Sequence, residues 1–483
     1  MIVFLIAVFQ LGFAVDQSLL ADEPVRITTD KVLNTHADQV GIWVNTNTDP
    51  PSSKLATALR QLRIRSIRYG WQFGVVDFQD LSSQQCLPND PSLQGYLTKD
   101  GRMAEQFGPG NVARLLSATN TVGFAVTNTD GINYFGKSDP SVNNLSRDQR
   151  IDLFAGHAER WAKWSTKNRF EYFEIGNEND LSGEGSAAQS IGPWTPESYA
   201  EVASRYADTI KKANPNAKCG INGGLKGADQ TRDWFGRIAT AVPTLEQKID
   251  FLVCHKYEMG ISREAWQQNA AWEFGRVGPA FRQVHGQHFS NAKIHVTEIG
   301  PWKEGENDQH YRAVLATEML GNVRLDSAVQ FVHFWPTRWG NTGGVFQPVG
   351  YELKSMGVGL AAYTRFAQPN MCCVGVKGGV RYFAAIGEKS LVIWCINHAT
   401  EERKIDCEIQ SLQLQLGTTD KGTEKVNCEH WSLHSPSNSL TAADTRLERQ
   451  SDLTLDVTGS TPTITIPCRP ISATIVTIPL WQE

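Results

Sequence analysis

From about Val40 onward, short apolar runs alternate with longer amphipathic stretches, and the alternation repeats eight times. The runs predict strands at Val40–Asn45, Ile64–Tyr69, Val122–Asn128, Glu171–Glu178, Ala217–Asn222, Ile249–His255, Lys293–Glu298 and Ala328–Trp335. The amphipathic stretches predict helices over Ser53–Leu62, Asn111–Ala118, Arg147–Trp164, Thr195–Lys212, Gln230–Ala241, Asp308–Val323 and Tyr351–Phe366, with a further long one capped by Ser262. Ser146 is a good N-cap for the third, and Thr195-Pro196-Glu197 gives the fourth an N-cap, a first-turn proline and an acidic first turn. Eight such units fit an α/β fold of the (β/α)8 TIM-barrel type with generous loops. A doubly wound sheet shows the same alternation, usually with a phosphate-binding glycine loop after its first strand. The only candidate, Gly108-Pro109-Gly110, follows no apolar strand and contains a proline, so it reads as a helix-entry turn.

After Pro369 the texture changes. Period-two runs at Val380–Ala385, Leu391–Ile396, Lys404–Ile409, Leu453–Val457, Thr463–Ile466 and Ala473–Ile478, with turn residues between them, predict an antiparallel β-sandwich. Val25–Leu33 precedes the barrel, is also β-like, and is placed to add a strand to the sandwich. The expected organisation is therefore a leader over 1–21, a catalytic barrel over 22–368 and a sandwich over 369–483. A chain of 483 residues has room for both domains.

The N-terminal run from Ile2 to about Val15 has the length of a signal-peptide core and is short for a membrane span. Its usual basic flank is missing, but small-residue cleavage sites follow, so a secreted or periplasmic protein is expected, with no membrane contact in the mature form. A net charge of −5 gives no electrostatic case for nucleic acid. The nine cysteines are an odd count; Cys372, Cys373, Cys395, Cys407, Cys428 and Cys468 crowd the C-terminal quarter, where export would favour disulfides. The oligomeric state is not legible.

Two of the predicted strands end alike. Phe173-Glu174-Ile175-Gly176-Asn177-Glu178 and His295-Val296-Thr297-Glu298-Ile299-Gly300 each deliver a carboxylate to the point where a barrel strand passes into its loop. Two carboxylates converging there are the minimal apparatus for cleaving a glycosidic bond, one as proton donor and one as nucleophile or base. Glu174 is in phase with Glu178 and, if it points into the barrel, needs a partner for its charge.

On these residues the chain resembles the clan A glycoside hydrolases, a retaining (β/α)8 superfamily, and within it the β-xylosidase, α-L-arabinofuranosidase and heparanase-like glucuronidase families, which carry a trailing sandwich. Gly176-Asn177-Glu178 is similar to the clan's Asn-Glu after strand four, and Thr297-Glu298 to its strand-seven nucleophile position. The resemblance implies that Glu178 is acid/base, Glu298 nucleophile, and Asn177 a ligand of the sugar 2-hydroxyl. It further implies that Arg68 holds the nucleophile, that His255 and Tyr257 form a His-x-Tyr pair whose hydroxyl bonds it, and that Trp335 lies under the reacting sugar. Arg68-Tyr69-Gly70-Trp71 departs from the Arg-x-Pro-Gly-Gly of the arabinofuranosidases. Asn128 and Asn222, ending strands three and five, are further sugar-binding candidates, and Trp302, Lys303 and Trp339 are placed to shape subsites.

The expected activity is double-displacement hydrolysis of an oligo- or polysaccharide, without metal or organic cofactor. A carbohydrate-binding barrel that has lost turnover is the alternative, although such a protein usually lacks one of the two carboxylates. No Gly-x-Ser-x-Gly and no His-Glu-x-x-His occurs to support a serine or zinc hydrolase.

Overall fold

The computed structural model describes residues 23–44, 49, 51–69, 109–127, 129, 145–180, 194–223, 228–259, 279–302, 309–338, 344–410, 425–438 and 444–480. Eight parallel strands close into a barrel in chain order: β2 (Val40–Trp43), β3 (Ser66–Tyr69), β4 (Val122–Thr127), β5 (Phe170–Ile175), β6 (Lys218–Asn222), β7 (Phe251–Met259), β8 (Lys293–Trp302) and β9 (Val329–Phe334). Pairing of β2 with β9 completes the ring. Each strand is followed by a helix: α1 (Ser53–Gln61), α2 (Pro109–Thr119), α3 (Arg147–Ser165), α4 (Pro196–Ala213), α5 (Ala228–Ala241), α6 (Pro279–Gln287), α7 (Gln309–Asn322) and α8 (Ser355–Thr364). Ser146 and Gln149 form a reciprocal capping box at α3, and Thr195 and Ser198 form one at α4 behind Pro196. The helix expected after Ser262 begins outside the described residues.

The barrel's interior is plugged by rings. Phe124 stacks on Tyr172 with centroids 4.3 Å apart, and Phe251 on His295 at 4.2 Å, with Phe331 and His333 set edge-on to Phe124. Such layers make the barrel a packed core and push chemistry to its mouth. Gly220 makes room for the plug, since any Cβ there would strike the Phe251 ring.

The second domain comprises β10 (Asn370–Lys377), β11 (Val380–Ile386), β12 (Ser390–Asn397), β13 (Arg403–Gln410), β14 (Lys425–His434), β15 (Arg446–Arg449), β16 (Leu453–Asp456), β17 (Thr463–Cys468) and β18 (Ser472–Pro479). The leading segment does join it as β1 (Val25–Thr28), but parallel to β13, so the domain is mixed and not purely antiparallel. The long β14 pairs with β16 through Lys425–Cys428 and with β18 through Glu429–Leu433, carrying the chain from one layer to the other. Between the layers lies an apolar core that includes Ile405, Ile409, Ile464, Ile466, Leu391, Ile393 and Val476.

The cysteines correct an expectation. All eight that are described are free thiols, including the six of the C-terminal quarter. Cys407 and Cys468 occupy inward positions of β13 and β17, alternating with exposed neighbours, and act there as small apolar side chains.

The domains share a continuous apolar core, because α7 and α8 are buried almost throughout and pack against Phe383 and Trp394. Trp394 stacks on Tyr363 at 5.3 Å and donates its indole N–H to the Ala362 carbonyl. No helix among the described residues is long and apolar enough to cross a membrane.

Candidate active site

The barrel's fourth strand ends sooner than the sequence pattern predicts. β5 stops at Ile175; Gly176 and Glu178 then adopt φ of 75° and 51°, a left-handed turn. Glycine enters that region freely, and here a Cβ would also collide with Asn179 Oδ1 and Thr129 Oγ1. Glu178 is not glycine, so its conformation is strained and held from outside. Tyr199 on α4 donates to the Ile175 carbonyl at 2.6 Å, and the Asn222 amide donates to it at 2.7 Å. Asn222 also bonds Asn179 twice, accepting its N–H at 2.9 Å and donating to its Oδ1 at 2.9 Å. Strand alternation therefore does not aim Glu178; this clamped turn does.

On the far wall, β7 and β8 slip register between Cys254 and His255, so that His255 faces Glu298 and Thr297 is the extra residue. Bulges of this kind re-aim side chains beside active sites. Thr297 consequently interrupts simple alternation between Val296 and Glu298.

The side chains meet at the mouth. His255 Nδ1 lies 2.9 Å from Glu178 Oε1 and 3.5 Å from Glu298 Oε2, and its Nε2 lies 3.1 Å from Thr297 Oγ1. One oxygen of each glutamate and one nitrogen of His255 all fall within 4.8 Å of one another. Arg68, wholly buried, donates from Nη1 to Glu298 Oε1 at 2.6 Å and from Nη2 to Asn177 Oδ1 at 2.7 Å. Its Nε and Nη2 grip Glu174, each at 2.9 Å. The Tyr257 hydroxyl donates to the other Glu298 oxygen.

Charge distribution follows from these contacts. Burial alone would raise the Glu178 carboxyl, but the hydrogen bond and charge of His255, helped by Arg68, leave it below the ordinary glutamate value. Burial likewise opposes a charged His255, yet Glu298 and the bond to Glu178 raise it. Both directions favour the charged forms of the two partners, a carboxylate facing an imidazolium across the 2.9 Å contact. Tyr257 is pushed well up by burial and by Glu298, so it stays a donor.

Glu178, His255 and Glu298 are also the one set among the described residues with metal-ligating side chains close enough to share an ion. Both Glu298 oxygens, however, already accept from Arg68 and Tyr257. A dication would meet the Arg68 charge in contact with its own ligand. The arrangement suits proton transfer and nucleophilic attack better than metal binding.

No protein-family model matches this sequence, and no curated protein matches it. Solved structures do match. An arabinofuranosidase superposes with a TM-score of 0.65 at 13% identity, covering 94% of this chain and 99% of its own. An α-L-arabinofuranosidase from Thermotoga maritima, solved with arabinose, gives 0.64 at 12% identity, covering 95% and 100%. A GH30 endoxylanase from Clostridium papyrosolvens gives 0.62 at 14%, again covering 95% and 100%.

The chain has the clan A glycoside hydrolase fold.

Within that fold, most residues singled out from the sequence converge. Glu178, Glu298, Asn177, Arg68, His255 and Tyr257 are joined by direct contacts. Trp335 is half-buried beside them, 5.9 Å from the Tyr257 ring, its peptide bond to Pro336 cis. Asn222 does not join them as a sugar ligand: it is buried, and its amide is committed to the turn that carries Glu178. Asn128, Lys303 and Trp339 lie outside the described residues, as does the Trp302 side chain. Sequence reading passed over Trp43, which ends β2 with its ring 6.0 Å from Trp335. An aromatic at a strand's C-terminal end was the available signal.

Proposed function

We propose that the protein is a retaining glycoside hydrolase, with Glu298 as nucleophile and Glu178 as acid/base. The observation that carries this reading is that one oxygen of Glu178, one of Glu298 and a His255 nitrogen lie within 4.8 Å of one another at the barrel mouth. Retaining enzymes hold their carboxyl groups about 5–5.5 Å apart, whereas inverting enzymes need roughly 6.5–9.5 Å to admit a water.

In the first step Glu298 attacks the anomeric carbon while the bond to the leaving oxygen breaks. Glu178 supplies the proton that oxygen takes. The incoming sugar displaces water, which disfavours the charge-separated form of the Glu178–His255 pair and returns the proton to Glu178. In the second step Glu178 accepts a proton from water, the water oxygen bonds the anomeric carbon, and the ester to Glu298 breaks. Arg68 and Tyr257 hold Glu298 throughout. Asn177 has its oxygen fixed by Arg68, so its NH2 group is the end left to donate to a sugar hydroxyl. Trp335 and Trp43 form an apolar wall suited to a sugar face.

The structural neighbours are named for arabinofuranosides and xylan, and one is a bifunctional glucanase-xylanase. The substrate panel therefore spans aryl arabinofuranosides, xylosides, glucosides and glucuronides together with plant and algal polysaccharides. Glu298→Ala should lose turnover altogether, and Glu178→Ala about 10²–10⁴-fold. NMR of the first-formed product should show the substrate's anomeric configuration. Turnover near the wild-type rate in either alanine variant, or an inverted product, would remove this assignment; tight binding without turnover would favour the lectin-like alternative. We also propose export, to be checked by N-terminal sequencing of the mature protein.

A further inference from the structure

Glu174 takes no part in the chemistry just described, although it makes the most complete contact with Arg68. We propose that Glu174 is a positioning residue that keeps Glu298 available as nucleophile by occupying the guanidinium's two-point edge. This deepens the glycosidase reading and rests on it.

The argument begins with geometry. A guanidinium is a rigid planar fork that pairs with carboxylates preferentially at two points. Arg68 has two carboxylates in reach, and both its side chain and that of Glu174 are fully buried. Glu174 takes the edge formed by Nε and Nη2, at 2.9 Å each. Glu298 receives one N–H only, from Nη1 at 2.6 Å. With the plane fixed, the remaining Nη2 bond falls on Asn177, which precedes Glu178. Without Glu174 the fork is free to turn and engage both Glu298 oxygens. The nucleophile would then face an undivided cation, and Asn177 would lose its anchor.

Charge gives a second reason. Glu174 Oε1 also lies 3.9 Å from Nε2 of His255, the imidazole whose Nδ1 faces Glu178. The ionisable groups facing Glu174 are Arg68 from β3, Tyr199 from α4 and His255 from β7, and through Arg68 and His255 it is linked to Glu298 on β8 and to Glu178 in its turn. Its negative charge thus bears on both halves of the site without touching the place where a sugar would sit.

The test uses full-length wild type, Glu174→Gln and Glu174→Asp. The Gln variant keeps size and one acceptor but lacks the charge; the Asp variant keeps the charge but shortens the reach. With the aryl glycoside that wild type hydrolyses, Glu174→Gln should lose about 100-fold in kcat with little change in KM. Its kcat/KM profile should move to lower pH, because removing an anion favours the deprotonated forms of its neighbours. Glu174→Asp should lose kcat while keeping the wild-type pH profile. In histidine-labelled protein, the NMR titration of His255, assigned with His255→Asn, should also move to lower pH in Glu174→Gln. That measurement needs no substrate. A folded Glu174→Gln with kcat, profile and His255 titration unmoved would overturn the inference, and so would a lowered melting temperature with both pH readouts unchanged. If wild type hydrolyses nothing on the panel, the proposed function falls, and the His255 titration still decides whether Glu174 sets the charge of the site.

Discussion

Two clusters of buried glutamate, arginine and histidine stand out among the described residues, and they are built differently. At the interface of barrel and sandwich, Glu318 on α7 accepts from Arg381 Nη1 at 2.8 Å and lies 2.7 Å from His398 Nε2, all three groups buried. One carboxylate on a regular helix there meets one guanidinium on β11 and one imidazole just past the end of β12. At the barrel mouth, three carboxylates crowd one guanidinium and one imidazole, Glu178 is a third exposed, and its backbone is strained. Surplus like charge, an opening to solvent and a forced turn separate the cluster proposed to be reactive from the fastening one. Composition alone does not, because both draw on the same three residue types.

The comparison is broken most directly by removing one carboxylate from each cluster. Glu318→Ala leaves Arg381 and His398 buried beside an empty space, and should cost about 3–5 kcal/mol of stability. Its kcat per folded molecule should stay at the wild-type value. Glu298→Ala should do the reverse: no turnover, with stability unchanged or raised, since Arg68 keeps Glu174 and the surplus of negative charge falls. Urea unfolding and active-site titration of both variants check this pair. Equal stability losses in the two would erase the distinction.

Acid sharpens it further. Burial alone would raise the Glu318 carboxyl, but His398 and Arg381 together hold it below its ordinary 4.5. A carboxyl lowered on folding contributes stability that is complete above 4.5 and is lost as pH falls through the folded value. The barrel plug acts over a wider range. Burial pushes His295 down to about 3 from 6.5, and burial with the Arg68 charge takes His333 well down too. Below 6.5 the unfolded chain binds these protons first, so stability is complete above 6.5 and declines toward about 3. Unfolding midpoints across that range should fall steadily in wild type. His295→Gln should flatten the slope from 6.5 downward, and Glu318→Gln only below 4.5.

A smaller effect is expected at the turn that strains Glu178. Gly176→Ala places a Cβ against Asn179 and Thr129 in a backbone region that alanine avoids. A loss of roughly 1–3 kcal/mol should accompany it, together with a kcat decrease, because the turn sets where Glu178 points. No comparable glycine supports Glu318, which sits in the middle of α7.

Much of this was legible in the sequence. Short apolar runs and cap residues such as Ser146 and Thr195 located barrel strands and helices, since those signals are local. Asn-Glu and Thr-Glu at strand ends located the carboxylates for the same reason. What escaped depended on distance or direction. Glu318 is the single acidic residue of α7, and its partners lie 63 and 80 residues away. The parallel entry of β1 beside β13 is invisible, because alternation carries no strand direction. The strand ends at Glu178 and Glu298 were misjudged because a positive-φ turn and a bulge override alternation. Cys407 and Cys468 suggested cross-links, whereas their in-out periodicity within β13 and β17 was the better guide.

Asn222 supplies the smallest test, because it belongs to neither charged cluster. It stands close to the active carboxylates, yet its Nδ2 bonds the Ile175 carbonyl, Asn179 Oδ1 and the Tyr199 hydroxyl, and its Oδ1 accepts the Asn179 N–H. A sugar ligand would keep one of these atoms for substrate. Asn222→Ala should therefore leave KM close to wild type while lowering kcat by a few-fold, as the Glu178 turn loosens but keeps its bonds to Tyr199 and Thr127. Stability should fall by about 1–2 kcal/mol for the buried groups left unpaired. A rise in KM with kcat unchanged would instead mean that Asn222 binds the sugar directly, as its position at a strand end first suggested.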